Sequence, residues 1–311
     1  MSKLTFERIA SQQRRGPRRS SLGSGWKLAL FFVPAVLVYG FLVIYPTLRA
    51  FQYSITNWNG YSSNYNYIGF TNFRLLFTED GLFTNALNNS VKLMVAVVIV
   101  ETIVAFGLAV LLSNNIRSSR VVRSVIFFPA ILSAVSVAFA FTFVYAPDGG
   151  LLNTFFHDIG LTSVHLDPLG SNRYAIYWVA GVQAWQYVGE MVLLFVAGLQ
   201  QIPLELYEAA SIDGASRLRQ LRHVTRPLIM PTVVLVATFT MIQAFQAFQL
   251  VYGLSGNPPA SNVDILSTRI LTTFADSKLG YAAAESIVFM LIIGTIAILQ
   301  RRLLRATRGA S

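Results

Sequence analysis

The nine residues EAASIDGAS, Glu208 to Ser216, lie in a polar gap between two long apolar segments of a 311-residue chain. Two carboxylates, several small side chains and one glycine share a single short helical window. A chain that only had to reverse direction between two apolar segments would do so with a few turn residues. A small-residue, acidic, helix-forming segment in that place points to a surface that something else touches. The segments on either side decide what kind of chain carries it.

Hydrophobic residues make up 54% of the sequence and charged residues 12%, and the mean hydropathy is +0.55. An average soluble domain carries about 25% charged residues. The apolar residues also form blocks too long for ordinary core helices, which makes a lipid bilayer the solvent for most of the chain. A spanning helix takes about 20 mostly apolar residues. Six segments qualify, at about 27–48, 88–112, 124–146, 174–199, 228–252 and 279–300. Pro34 and Pro129 fall inside spans or near their ends, where membrane helices tolerate proline. Gly181, Gly189 and Gly198 give the fourth span small-residue faces for close helix packing. There is no cysteine, so disulfides and thiolate metal sites are excluded.

The net charge of +10 is unevenly placed. Most of the 24 Lys and Arg residues fall in four places: the N-terminal tail, the loop after span two (Arg117, Arg120, Arg123), the loop after span four (Arg217, Arg219, Arg222, Arg226) and the C-terminus. Basic residues stay in the cytoplasm, so both termini are expected there, as an even number of spans requires. Residues 1–26 are basic, Ser/Gly-rich and non-periodic, and read as a disordered cytoplasmic tail that sets topology, with contact to membrane lipid as a second role. Residues 27–311 then form one transmembrane domain, with a cytoplasmic loop at 200–227. A nucleic-acid partner is not expected.

Catalytic signatures are missing. No Gly-Lys dipeptide occurs, so there is no phosphate-binding loop of the G-x-x-x-x-G-K-[ST] kind, and no G-x-S-x-G elbow. His157 and His165 share one outer loop near Asp158 and Asp167, a spacing that reads as surface residues and not as a metal site.

Polar residues inside the spans are more informative. A carboxylate at the centre of a helix costs about 2.5–3.5 kcal/mol on insertion scales, so Glu101 and Glu190 each need a compensating partner. For Glu101 an interhelical hydrogen bond is the favoured reading and a watery path the other. Glu285 lies nearer the end of span six, where it could reach water, and carries a weaker signal. In span four, Gln183, Gln186, Tyr187 and Glu190 follow i, i+3, i+4, i+7 and share one face. In span five, Thr240, Gln243 and Gln246 are three apart. Amides, hydroxyls and aromatic faces suit a neutral polyol, whereas a proton-driven carrier shows chains of Asp, Glu or His. Polar glue between helices is the competing reading.

With the spans in place, the longer stretch IPLELYEAASIDGASRLRQLRHVTRPLIMP, Ile202 to Pro231, resembles the cytoplasmic loop of permease subunits in binding-protein-dependent ABC importers. That pattern is EAA, three residues, Gly, nine residues, then I-x-L-P. Glu208, Ala209, Ala210 and Gly214 match its core, Asp213 and Ala215 complete the usual DGA, and Val224 and Pro227 take the Ile and Pro places. Arg226 stands where Leu is usual and Leu221 where Phe is common. YIGFTNFRLLF from Tyr67, VVRSVIFFPAILS from Val121, PDGGLLN from Pro147 and SGNPP from Ser255 resemble further segments of the carbohydrate-uptake branch, the permeases for oligosaccharides and glycerol 3-phosphate. In SGNPP, Asn257 replaces a second glycine.

The resemblance implies an all-α integral membrane protein with six transmembrane helices, the type I ABC importer (MetI-like) permease fold. It implies a non-enzymatic chain of a bacterial or archaeal cytoplasmic membrane, holding no cofactor itself. ATP and Mg belong to two separate ATP-binding subunits that dock on Glu208, Ala209, Ala210, Asp213, Gly214 and Ala215. A second, homologous permease subunit and an extracytoplasmic substrate-binding protein complete the assembly, which imports a sugar or oligosaccharide by alternating access. Carried over by motif, the substrate path falls on Gln183, Gln186, Tyr187, Glu190, Thr240 and Gln246, with Gln243 added by its spacing. The alternative is a stand-alone secondary transporter for a polar small molecule, which predicts inverted internal repeats; none is visible.

Overall fold

The computed structural model describes residues 25–113, 119–256 and 258–308. The tail up to residue 24, Arg117 and Asn257 therefore lie outside the described residues. The chain divides into two units, residues 1–50 and 51–311. In the first, α1 (Gly25–Tyr39) passes through a π-helical turn, Gly40–Ile44, into α2 (Tyr45–Ser54), which crosses the boundary. Phe32, Val36, Leu37, Phe41 and Leu42 are all exposed. A helix with this much uncovered apolar surface is one whose solvent is lipid.

The second unit contains α3 (Thr71–Thr78), α4 (Gly81–Ser113), α5 (Ser119–Ile131), α6 (Ala134–Val144), α7 (Leu151–Asp158) and α8 (Ala175–Leu199). It continues with α9 (Leu204–Ile212), α10 (Arg217–Gln220), a π-helical turn Leu221–Thr225, α11 (Arg226–Phe245), α12 (Phe248–Ser255), α13 (Leu266–Ala275) and α14 (Leu279–Arg308). Among the described residues the only strand-like pairing is one antiparallel bridge, Thr56 to Tyr67. Among the described residues, five helices are long and apolar enough to cross a membrane, and six if the bent pair α5–α6 counts as one span.

Two of the expected spans, at 124–146 and 228–252, are not single straight helices. The third is bent by 103° between α5 and α6. Pro129 lies in the last turn of α5, where its missing N–H and its ring weaken the ladder, and Ser133 is extended, at φ −61° and ψ 135°. The fifth span starts earlier and stops sooner than its hydropathy suggests. Its helix is continuous from Arg217 to Phe245, so the second half of the expected loop at 200–227 is helical. Arg and Gln are good helix formers, and Pro227 sits in the first turn of α11, where proline is tolerated. The chain then breaks at Gln246 and Ala247 before α12.

The core of this unit runs along α4 and α8, which pack lengthwise. At one end Leu93, Val97, Val179, Val182, Leu250 and Val251 are buried together. At the other, Ala105, Ala109, Met191, Phe195, Ile229 and Val236 form a second cluster. Leu76, Phe83, Leu266 and Ala284 join α3, α13 and α14 to the start of α4. Gly189 lets α8 cross α5 in backbone contact: a Cβ there would lie 2.5 Å from the Ile126 carbonyl oxygen. Gly198 likewise backs onto Thr232 and Ile229. Gly181, expected to serve the same purpose, faces open space, with nothing within 4 Å of its Cβ position.

Candidate functional site

Inside a membrane protein, non-helical backbone is tolerated only where protein or a watery cavity satisfies it. Both broken spans meet this condition at one place. Ala134, just past the first break, and Gln246 and Ala247, at the second, line a single cavity of about 140 Å³. Gln183 and Tyr187 of α8, with Gln243 and Gln249, supply its polar wall. Gln183 is 1% exposed. Its Oε1 and that of Gln243 have no hydrogen-bond partner among the described residues. Acceptors at a cavity wall beside a tyrosine suit a ligand that brings hydroxyl donors and a C–H face.

Four of the seven expected path residues, Gln183, Tyr187, Gln243 and Gln246, are thus brought together. Gln186, Glu190 and Thr240 do not line the cavity. Gln186 is fully buried, and its Nε2 donates to the Leu132 carbonyl at 3.0 Å, next to the break in the third span. Thr240, also fully buried, donates to Glu101 Oε2 at 2.8 Å, which is the interhelical bond favoured for Glu101. Glu190 Oε2 accepts from Gln243 Nε2 at 3.3 Å. The shared face of α8 divides for a geometric reason. At 3.6 residues per turn, Gln186 lies about 60° to one side of Gln183 and Tyr187 about 40° to the other, so the face addresses two neighbours. Gln249 was not anticipated, although it extends the three-residue spacing of Gln243 and Gln246.

At the far end of α8 the stretch EAASIDGAS is a helix, a cap and a restart. The Gly214 N–H donates to the Ser211 carbonyl and the Ala215 N–H to the Ala210 carbonyl, at 3.1 and 2.9 Å. This is a Schellman cap, with Gly214 left-handed at φ +73°. Ser216 Oγ then accepts from the Arg219 N–H and caps α10. Tyr207 bonds Thr225 through their hydroxyls at 3.0 Å, and Gln220 Nε2 donates to Ser211 Oγ at 2.9 Å. These side-chain bonds pin α9 to the helix of span five and were not visible in the sequence. Glu208, Ala209, Asp213 and Gly214 are exposed, Ala210 and Ala215 partly so. Ile212 is 87% and Leu218 74% exposed. An outward helix edge carrying both acids and bare apolar side chains is a contact surface without its partner.

Of one charged cluster, the sequence shows only Glu285. Glu285, near a span end, is fully buried instead of reaching water. Arg269 of α13 lies 3.6 Å from Glu285 and 3.5 Å from Asp80. Tyr281 Oη donates to Asp80 at 2.9 Å, and the other Asp80 oxygen accepts the Phe83 N–H and so caps α4. Burial pushes the Asp80 carboxyl up, but the Phe83 amide, the Tyr281 hydroxyl and the Arg269 guanidinium outweigh it and hold it below its usual 3.8. The cluster ties α4, α13 and α14 together.

A polar cavity between broken spans, with an exposed acidic helix-turn beyond them, is the build of a membrane transport component. Residues 102–309 match the family described as binding-protein-dependent transport system inner membrane component, and the chain belongs to that family. A probable ABC transporter permease protein of Bacillus subtilis, YurN, is 33% identical over 88% of this chain and 94% of its own. The diacetylchitobiose uptake system permease protein NgcF of Streptomyces coelicolor is 32% identical over 99% and 87%. The multiple sugar-binding transport system permease protein MsmF of Streptococcus mutans is 29% identical over 92% and 97%. Among solved structures, a chain of a bacterial ABC transporter involved in the import of the acidic polysaccharide alginate superposes with a TM-score of 0.77, covering 90% of this chain and 96% of that one. At 20% identity this is a likeness of fold, and the fold is the all-helical importer permease fold that the sequence leads one to expect.

Proposed function

We propose that this chain imports a sugar or oligosaccharide as one of two homologous permease subunits in a bacterial or archaeal cytoplasmic membrane. Two ATP-binding subunits, which hold the ATP and Mg, dock on Glu208, Ala209, Ala210, Asp213, Gly214 and Ala215. An extracytoplasmic binding protein delivers the cargo on the opposite side, and both termini are cytoplasmic. The observation that carries this reading is the amide- and tyrosine-lined cavity between two broken spans. Gln183, Tyr187, Gln243 and Gln246 contact the cargo; Gln186, Glu190 and Thr240 hold the helices that shape the path. The sugar permeases among the relatives support the cargo class.

At about 140 Å³ the cavity is smaller than the roughly 300–1,000 Å³ of ordinary ligand sites. The second permease subunit supplies the opposite wall, and alternating access widens the space. Coupling requires that the ATP-binding subunits contact the outward and inward states differently. The bonds from Tyr207 and Gln220 link α9 to the start of span five, the route by which a push on α9 moves Gln243 and Gln246. The test is purification of the complex in mild detergent, reconstitution in liposomes and uptake of binding-protein-delivered maltotriose with and without ATP. Co-purification of an ATP-binding subunit and ATP-dependent uptake are expected. Uptake without ATP by this chain alone overturns the proposal and establishes a secondary carrier.

A further inference from the structure

A second and larger cavity, about 980 Å³, opens at the end of α8 away from α9. Its floor is held in place. Asn153 donates to the Leu166 carbonyl and accepts the Leu166 N–H, both at 2.8 Å, and Asn262 donates to the Leu169 carbonyl at 2.7 Å. Asp167 Oδ1 takes the Gly170 N–H at 2.9 Å and Ser171 Oγ the Tyr174 N–H at 3.2 Å.

Two cations line the same space, Lys92 from α4 and Arg173 from the turn before α8. Lys92 is partly buried near the start of the apolar stretch at 88–112, where a long side chain can carry its ammonium to the interface, and it lines this cavity. None of the described residues gives it a hydrogen bond or an ion pair. Arg173 rests on the Tyr174 ring, 5.6 Å from its centroid, a contact that leaves guanidinium donors free for an anion. Asp167 is the one carboxylate on the wall. Tyr174 and Tyr177 are about half exposed, and Trp178 lines the cavity beside them. Positive charge next to aromatic faces selects a ring that carries an acid group.

We propose that this cavity is a binding subsite for an acidic saccharide, with its carboxylate or phosphate held by Lys92 and Arg173 and its ring against the aromatic wall. This rests on the sugar-importer reading and narrows it: the cargo carries an acid group as well as the hydroxyls that suit Gln183 and Gln243. An anionic lipid headgroup offers the same phosphate chemistry without a sugar ring, and the test separates the two.

The complex is reconstituted in phosphatidylcholine nanodiscs, and binding of trigalacturonate and of neutral maltotriose is measured by calorimetry. Trigalacturonate is expected to bind at least about tenfold more tightly, and Lys92→Gln or Arg173→Gln to erase about that factor, the size of one charge-assisted contact. Lys92→Arg retains the binding, which guards against a folding defect in Lys92→Gln. Added phosphatidylglycerol leaves it unchanged. Equal affinity for the two trisaccharides, or unaltered trigalacturonate binding in both Gln variants, overturns the proposal. Loss of binding on adding phosphatidylglycerol also overturns it and assigns the cations to lipid. ATP-driven maltotriose uptake that survives any of these results leaves the importer reading standing.

Discussion

Gln183 and Gln186 sit one turn apart on α8, and their side chains have different partners. The amide oxygens of both lack a partner among the described residues, but only that of Gln183 belongs to the cavity wall, whereas Gln186 donates through Nε2 to a carbonyl freed by the break in the third span. Gln183→Ala is therefore expected to raise the KM for uptake several-fold and leave thermal stability in detergent unchanged. Gln186→Ala leaves the Leu132 carbonyl unpaired and is expected to cost about 1–3 kcal/mol, seen as a lower melting temperature with KM little affected. A changed KM at full stability would return Gln186 to the substrate path. Gly214 is a third case. No atom lies within 4 Å of its Cβ position, so Gly214→Val is a conformational insult of about 1–2 kcal/mol confined to the cap. Its expected result is a chain still in the membrane from which the ATP-binding subunit no longer co-purifies.

Among the elements, α13 sets one arginine between two acids. Arg269 faces a fully buried Glu285 on one side and Asp80 on the other. Removing the arginine takes away the cation within ion-pair distance of both acids, so Arg269→Met is expected to lower the melting temperature, with Arg269→Met/Glu285→Gln recovering part of the loss. Asp80 adds a pH dependence. Its folded carboxyl titrates below the unfolded 3.8, so its contribution is present above that value and lost as the pH falls through the folded one. The melting temperature should drop below about pH 4 in the native chain, and Asp80→Asn should flatten that acid limb; an unchanged limb would detach Asp80 from the cluster. None of this is legible in the sequence. Asp80 and Arg269 are 189 residues apart, and hydropathy sees Glu285 only as a charge near a span end. The broken spans were hidden for a related reason. Hydropathy counts apolar residues, but a break needs Pro129 and a partner such as Gln186 on another helix.

For the whole molecule, length, hydropathy and the EAA pattern were enough for an all-helical importer permease, because each is a property of one segment read by itself. The depth of the cavity and the pairing of Thr240 with Glu101 depend on which helices meet, which one sequence does not state. The sidedness of the bundle still rests on the distribution of Arg and Lys. The absence of cysteine makes that testable without background. Thr162 and Glu205 are both exposed, in the loop before α8 and on α9 after it. In intact cells a membrane-impermeant maleimide is expected to label Thr162→Cys and to reach Glu205→Cys only after permeabilisation. Ala209→Cys should then be protected when the ATP-binding subunits are present and labelled when they are stripped away. The reverse pattern, with Glu205→Cys open to the outside, would place the acidic helix where no ATP-binding subunit can reach it. The cap at Gly214 and the bonds through Tyr207 and Gln220 would then transmit nothing from ATP, and the cavity between the broken spans would have to be driven from the membrane side alone.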